Sequence, residues 1–159
     1  MENDDFVKEL GYLGFTMRLK RVTDLLLHSG RSLYQELGLD IEPNWYVIFK
    51  LLKSRGPMCV TDIADAIKMA HPSVITLTNK MMNAGYLTST KSETDSRKRN
   101  LSLSQSALDV LPQYEKIWDA GEKGVEEALG KMNALEFITS LEDIFFDENF
   151  KERTLKQLQ

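Results

Sequence analysis

Two short amphipathic segments separated by a brief break constrain the fold of this chain more than any other feature of its sequence. The first segment, TDIADAIK, begins at Thr61, a residue type favoured as a helix N-cap, and carries its aliphatic residues at helical spacing. The second, PSVITLTNKMMNAG, places Pro72 at the first helical position and Gly85 directly after the last one. Because MAH alone separates the two segments, the sequence predicts a helix-turn-helix.

The second helix of this pair has a polar side that contains no acidic residue. Val74, Leu77 and Met81 cluster on its apolar side. The opposite side carries hydrogen-bonding side chains and one cation: Ser73, Thr76, Asn79, Lys80 and Asn83. Since no carboxylate lies among them, a phosphate backbone would meet no repulsion there. We predict these five residues as DNA contacts, with an ordinary solvated helix face as the alternative.

A β-hairpin with a basic tip is predicted directly after this helix. In TKSETDSRKRNLSLS, residues 90–104, two β-prone runs flank a polar turn. Such a hairpin is the wing of a winged helix, whose second helix enters the major groove while the hairpin meets the flanking backbone or the minor groove. We predict that Arg97, Lys98 and Arg99 contact DNA, with Arg97 in a narrow minor groove. Asp95 is predicted to support the hairpin tip through backbone amides, or to act as a turn former alone.

The charge distribution agrees with a polyanion bound at one face. The chain has a net charge of −4, yet the stretch 68–104 holds six basic and two acidic residues, a net charge of +4 that leaves −8 for the remainder. A basic middle between acidic ends is the asymmetry expected when one face meets nucleic acid.

No pattern typical of a catalytic or metal site occurs in the sequence. His28 and His71 are far apart, and there is no glycine-rich phosphate loop or nucleophile motif. The single cysteine, Cys59, excludes an intramolecular disulfide and a multi-cysteine metal site, and we predict that it is a small buried residue. We therefore predict a protein that is not an enzyme and that uses no metal and no cofactor.

The N-terminal sequence and the apolar runs argue against a membrane protein. The first residues, MENDDFVKEL, are acidic and lack the apolar core of a signal peptide. No apolar run reaches the roughly 18 residues that a membrane-spanning helix needs. We expect a cytoplasmic protein with no membrane partner.

Helical segments at both ends of the chain carry more apolar surface than a small DNA-binding lobe can cover. A helix is predicted from about Phe6 to Ser29, with Gly30 as its stop, and Pro112 is predicted to kink a later helix or to begin a new one. The apolar residues expected at a homodimer interface are Phe6, Leu10, Leu13, Met17, Leu135, Ile138, Leu141 and Phe145. We predict that the chain pairs with a second copy of itself.

These features together resemble the MarR (multiple-antibiotic-resistance regulator) family of bacterial transcription factors. The matching stretches are NWYVIFKLL, TDIADAI, PSVITLTNKMMNAGYL and DSRKRNLSLSQSAL, and the most specific is the Asp95-Ser96-Arg97 motif of the wing. The resemblance implies one MarR-type domain over residues 1–159, mainly α with a small β-hairpin. Its winged helix-turn-helix lobe would span about 40–110, flanked by dimerisation helices at about 5–30 and 112–159.

The sequence departs from the family pattern at three positions. Ala70 stands where a serine cap commonly precedes the recognition helix, and Thr76 stands where an arginine is frequent. Ala107 replaces a glycine that often follows the helix start after the wing. Cys59 precedes the helix-turn-helix, whereas the redox-sensing branch of the family uses a cysteine in the first helix, so peroxide sensing is not expected.

The function implied by the resemblance is that of a sequence-specific DNA-binding regulator, a repressor by default, that binds a palindromic operator as a homodimer. Some family members release DNA when a small aromatic molecule binds between the dimerisation helices and the DNA-binding lobe. The candidate wall residues of such an effector site are Phe15, Leu19, Trp45 and Phe49, each of which is alternatively a core residue. Regulation without an effector, and a winged-helix module that binds protein, are the alternatives. The basic wing argues against the protein-binding module.

Overall fold

The computed structural model describes residues 5–91 and 99–159 of the chain. The helices are α1 (Phe6–Glu9), α2 (Phe15–Glu36), α3 (Tyr46–Arg55), α4 (Val60–Ile67), α5 (His71–Asn83), α6 (Gln105–Leu129), α7 (Ala134–Asp147) and α8 (Phe150–Gln157). Single 3-10 turns cover Gly11–Gly14 and Gly130–Met132. The strands are β1 (Met58–Cys59), β2 (Leu87–Lys91) and β3 (Arg99–Leu103). The predicted mainly helical fold with a small β-hairpin is confirmed.

The chain divides into two compact units, Met1–Leu111 and Pro112–Gln159, and the division falls within α6. The first unit contains the helix-turn-helix and the sheet, and the second contains α7 and α8. The prediction of one domain that combines both parts stays a prediction. In the described part of the chain, no helix is both long and apolar enough to cross a membrane.

The core of the first unit lies between α3, the helix-turn-helix and the sheet. Its largest fully buried apolar side chains are Phe49, Ile48, Ile63, Met81 and Val74. They come from α3, α4 and α5, at positions that keep the helical spacing of a buried face. Each buried side chain of this size stabilises the folded state by roughly 1.5–3 kcal/mol. These contacts hold α5 against α3 and α4.

Thr78 is a buried polar residue in this apolar core. Its side chain is fully buried, and its Oγ1 donates a hydrogen bond to the carbonyl oxygen of Val74 at 2.8 Å. A hydroxyl that bonds to the carbonyl four residues earlier leaves no unsatisfied donor, so its burial is tolerated. Thr78 therefore belongs to the core side of α5.

The three strands form an antiparallel sheet in the order β1-β3-β2. β2 and β3 are the two arms of the predicted hairpin, and Leu87 pairs with Leu103 while Lys91 pairs with Arg99. Leu87 and Leu101 are buried and anchor the base of the hairpin in the core. The tip that joins the two strands, residues 92–98, lies outside the described residues.

The first predicted helix differs from the structure at both ends. Residues 6–14 form a short helix and a 3-10 turn before α2 begins at Phe15, because the chain packs closely on itself at Gly14. A Cβ atom at Gly14 would lie 2.3 Å from the carbonyl oxygen of Val7. The prediction that Gly30 ends the helix is wrong, since α2 continues to Glu36. Gly30 instead allows a close approach of the Pro43 ring, whose Cγ would lie 3.0 Å from an added Cβ.

The starts of α4 and α5 differ from the predictions, since α4 begins at Val60 and α5 begins at His71, one residue before Pro72. The glycine predicted at the end of α5 is confirmed. α4 begins at Val60, so Thr61 lies inside the helix and Cys59, in extended conformation at the end of β1, is the N-cap. α6 is continuous through Pro112. Of the two alternatives predicted for this proline, the start of a new helix is therefore wrong. Pro72 lies in the first turn of α5, and Gly85 follows its end with φ 81°, a conformation that favours glycine.

The second unit has an apolar surface that is exposed in the single chain. Leu135, Ile138 and Phe145 of α7 are exposed, and Leu141 is half-buried.

The N-terminus of α8 is fixed by a capping box in which Asn149 and Glu152 bond to each other's backbone amides at 3.1 Å. A hydrogen bond from Lys156 holds the pKa of Glu148 below its usual value.

Candidate nucleic-acid interface

The two sides of α5 divide as the sequence predicts. Val74 and Met81 are fully buried and Leu77 is nearly so, whereas the five predicted DNA contacts are all exposed: Ser73, Thr76, Asn79, Lys80 and Asn83. Because the apolar side is held in the core, the polar side is presented outward on a fixed backbone. From His71 to Asn83 the helix contains no acidic residue.

The start of α5 lacks a side-chain cap. Ala70 is the N-cap and has no hydroxyl, and its carbonyl oxygen accepts the amides of Ser73 and Val74 at 2.9 and 3.2 Å. Thr76 Oγ1 donates to the carbonyl oxygen of Pro72 at 3.0 Å. That bond uses the single hydroxyl proton, so Thr76 offers its free lone pairs, as an acceptor, to a base or to water.

The wing residues fall partly outside the described part of the chain. Asp95, Arg97 and Lys98 lie in the segment 92–98, and their roles remain predictions. Arg99, the first residue of β3, is exposed. Its Nε donates to Ser89 Oγ at 2.8 Å and its Nη2 donates to the Ser89 carbonyl oxygen at 3.4 Å. The guanidinium of Arg99 is therefore held along β2.

Lys91 is a cation of the wing that the sequence interpretation did not select. It is the cross-strand partner of Arg99, so the two side chains lie on the same face of the hairpin. That face also carries Leu101, two residues after Arg99, and Leu87, four residues before Lys91, and both lie nearer the core. Like charges directly opposite each other destabilise a hairpin unless an anion lies between them. We call Lys91 and Arg99 the wing-stem cation pair.

A cavity of about 390 Å³ lies beside the C-terminal end of α5. Its lining residues are Asp40, Ile41, Glu42, Trp45, Lys80, Asn83 and Ala84. Glu42 is paired with Arg31 Nε at 2.8 Å. Trp45 is 5% exposed, and its Nε1 is buried without a hydrogen-bond partner among the described residues.

The four predicted wall residues of an effector site do not all meet at this cavity. Trp45 borders it, whereas Phe49 is fully buried and packs edge-on against Tyr86, with ring centroids 5.4 Å apart. Phe15 and Leu19 lie on α2 and are not among the lining residues. The structure thus gives Phe49 a place in the core, and an effector site remains a prediction.

The acidic, histidine and cysteine side chains are the groups that could bind a metal ion. Within residues 5–91 and 99–159, no cluster of three or more His, Cys, Asp or Glu side chains could hold a metal ion. Cys59 is a free, buried thiol, which confirms its predicted place in the core.

Comparison with known proteins supports the resemblance seen in the sequence. Residues 41–98 match the model of the MarR family. A comparison with proteins of curated function found no significant match. Among solved structures, the chain is similar to the MepR–DNA complex of S. aureus, with a TM-score of 0.67 and 15% identity over 84% of this chain and 97% of that one.

Two further solved structures have the same fold. The transcriptional repressor CouR bound to a 23-mer DNA duplex has a TM-score of 0.65 and 20% identity, over 85% of this chain and 96% of that one. A MarR protein from Peptoclostridium difficile has a TM-score of 0.59 and 17% identity, over 95% of both chains. The predicted winged-helix fold is confirmed: residues 41–98 match the MarR family model, and the chain has the fold of these solved structures.

Proposed function

We propose that this protein is a sequence-specific DNA-binding transcriptional regulator that reads the major groove with α5 and contacts the flanking DNA with its wing. The observation that carries the proposal is the exposed, acid-free polar side of α5, opposite a side that is buried in the core. Short hydrogen-bonding side chains on such a face match the donor and acceptor groups of base edges. Two proteins of the same fold, MepR and CouR, are described in complexes with DNA, which supports the proposal.

The regulator acts as a homodimer on a palindromic operator, and its default action is repression. The exposed apolar side chains of α1, α2 and α7 support a second copy as the partner, since so many large apolar groups are rarely left in water. A two-fold symmetric dimer that presents two copies of α5 to one side of a duplex needs half-sites about one helical turn, roughly 34–36 Å, apart. The description of CouR as a repressor agrees with this mode.

Selection of bound sequences from random DNA by the purified protein tests the proposal directly. We expect enrichment of a palindrome with that half-site spacing, and binding that weakens steeply as the salt concentration rises, because phosphate contacts release counterions. Failure to retain DNA at low salt would instead favour a winged-helix module that binds protein.

The wing is expected to contribute through Arg97 and through the wing-stem cation pair. Arg97→Ala should weaken operator binding by roughly 1–3 kcal/mol, the scale of a specific contact. Lys91→Gln keeps a polar side chain only one atom shorter but removes its charge, so it should weaken binding on all sequences and lower the salt slope by about one. Titrations of the operator and of scrambled DNA at two salt concentrations separate the two effects. A salt slope that Lys91→Gln leaves unchanged would remove Lys91 from the interface.

A small aromatic effector is proposed to release the protein from DNA by binding near Trp45. The cavity beside Trp45 also borders Lys80 and Asn83, so an occupant would lie against two of the predicted DNA contacts. Trp118→Phe leaves Trp45 as the single tryptophan, and titration of this variant with phenolic acids should give a saturable change in fluorescence. A flat response across a broad set of aromatic acids would speak for regulation without such an effector.

A further inference from the structure

Two serine hydroxyls bind the carbonyl oxygen of Gly85, which lies two residues after the end of α5. Ser104 Oγ donates to Gly85 O at 2.7 Å, and Ser106 Oγ donates to the same oxygen at 3.1 Å. We infer that this hydroxyl clamp, formed by Ser104 and Ser106 on Gly85, positions α5 for DNA, so that Ser106 is a positioning residue that sets DNA affinity without touching DNA. The inference rests on the proposed DNA-binding function.

The clamp holds a turn that is rigidly joined to the last turn of α5. The amide of Tyr86 donates to the carbonyl oxygen of Met81, and the amide of Gly85 donates to that of Met82, both at 2.9 Å. These two bonds form a Schellman motif, which the φ of 81° at Gly85 makes possible. The motif uses the amide groups of the turn and the clamp binds its carbonyl group. A displacement of Gly85 is therefore passed directly to the end of the recognition helix.

Ser104 connects two helices through one hydroxyl. As the N-cap of α6, its Oγ accepts the amide of Ala107 at 3.1 Å while its proton goes to Gly85. Ser106 Oγ lies 2.8 Å from the same Ser104 Oγ, within hydrogen-bond distance. Either hydroxyl can donate to the other across this contact, and both also donate to the Gly85 carbonyl oxygen. The negative end of the α5 dipole and the positive end of the α6 dipole also meet here, which favours the contact.

Ser106 is the member of the clamp that can be removed without disturbing a helix. Ser104 caps α6 and its amide donates to Tyr86 O at 3.0 Å, so its replacement would affect the fold itself. Ser106 is exposed, and its bonds go to Gly85 and Ser104. Alanine is also a better helix residue than serine, so the folded state should not suffer from Ser106→Ala.

The test compares Ser106→Ala with two matched variants in the full-length protein. Ser106→Thr restores a hydroxyl at the same position, and Ser102→Ala removes a hydroxyl of the same type from β3, where it bonds to Thr88 at 3.0 Å. We expect Ser106→Ala to bind the selected operator roughly three- to tenfold more weakly, the range of one lost hydrogen bond. Its thermal midpoint should stay near that of the wild type, and Ser106→Thr and Ser102→Ala should bind nearly as the wild type does.

Amide hydrogen exchange in the protein without DNA gives the second measurement. The amides of Ala84, Gly85 and Tyr86 should exchange several-fold faster in Ser106→Ala than in Ser102→Ala, because the turn loses a restraint. Operator binding and exchange that are both unchanged by Ser106→Ala would overturn the clamp while leaving the proposed function intact. Absence of DNA binding by the wild type would overturn the proposed function, and with it the role of Ser106 in DNA affinity.

Discussion

Replacement of Asn79 with aspartate is expected to lower the affinity for the operator by at least about 100-fold at moderate salt. Asparagine and aspartate have the same shape, and Asn79 is exposed on the outer side of α5, so the change adds a charge without disturbing the core. That charge would be the first acidic group between His71 and Asn83. A like charge placed against a phosphate backbone costs several kcal/mol when it is brought into the interface.

The matched control is Asn44→Asp, an identical chemical change at an exposed position before α3. Both variants shift the net charge of the chain from −4 to −5, so a general electrostatic effect would appear in both. We expect thermal midpoints within a few degrees of the wild type for each, and near-normal DNA binding for Asn44→Asp. Equal affinities of the two variants would show that the polar side of α5 does not face DNA.

The second large effect is expected at the homodimer surface. Leu13 and Leu135 are 81% and 85% exposed in the single chain, so a glutamate at either position leaves the protomer able to fold. Each leucine contributes roughly 1.5–3 kcal/mol if it is buried by a partner, and four such residues would leave the water in a symmetric dimer. The double variant Leu13→Glu, Leu135→Glu should therefore be a folded monomer at micromolar concentration.

Light scattering coupled to size exclusion measures this change, and circular dichroism checks that the helices remain. Leu37→Glu is the control, since Leu37 is 47% exposed at the end of α2 and does not belong to the predicted interface. The monomer should also bind the palindrome far more weakly than the dimer, because it loses the second half-site. A double variant that keeps the molar mass of the dimer would place the interface elsewhere.

The helix-turn-helix could be predicted because its signals are local. The apolar spacing of α4 and α5, Pro72 in the first turn and Gly85 after the last all depend on residues close together in sequence. The position of Thr78 also follows from its place between Val74 and Met81 on the helix, although its residue type suggests a polar surface. A threonine can be buried at this position because its hydroxyl bonds to the carbonyl oxygen of Val74 within the same helix.

The features that could not be predicted depend on contacts between distant residues. Gly30 has the residue type of a helix stop, and the packing of Pro43 against it explains why a glycine lies within a continuous helix. Ser106 bonds to Gly85, 21 residues earlier, and the sequence contains no periodicity that connects the two. Lys91 could have been paired with Arg99 by counting equally outward from the hairpin turn, but the register must be known before the count can begin.

The wing-stem cation pair implies that stability and DNA retention impose opposite demands on the same position. In the free protein, the charges of Lys91 and Arg99 repel each other across the hairpin, and a neutral residue at position 91 would relieve this repulsion. Directed evolution for heat resistance alone should therefore replace Lys91 early. A screen for repression in cells should keep it. The residue types found at this position in natural relatives would then indicate whether selection for stability or selection for DNA binding was stronger.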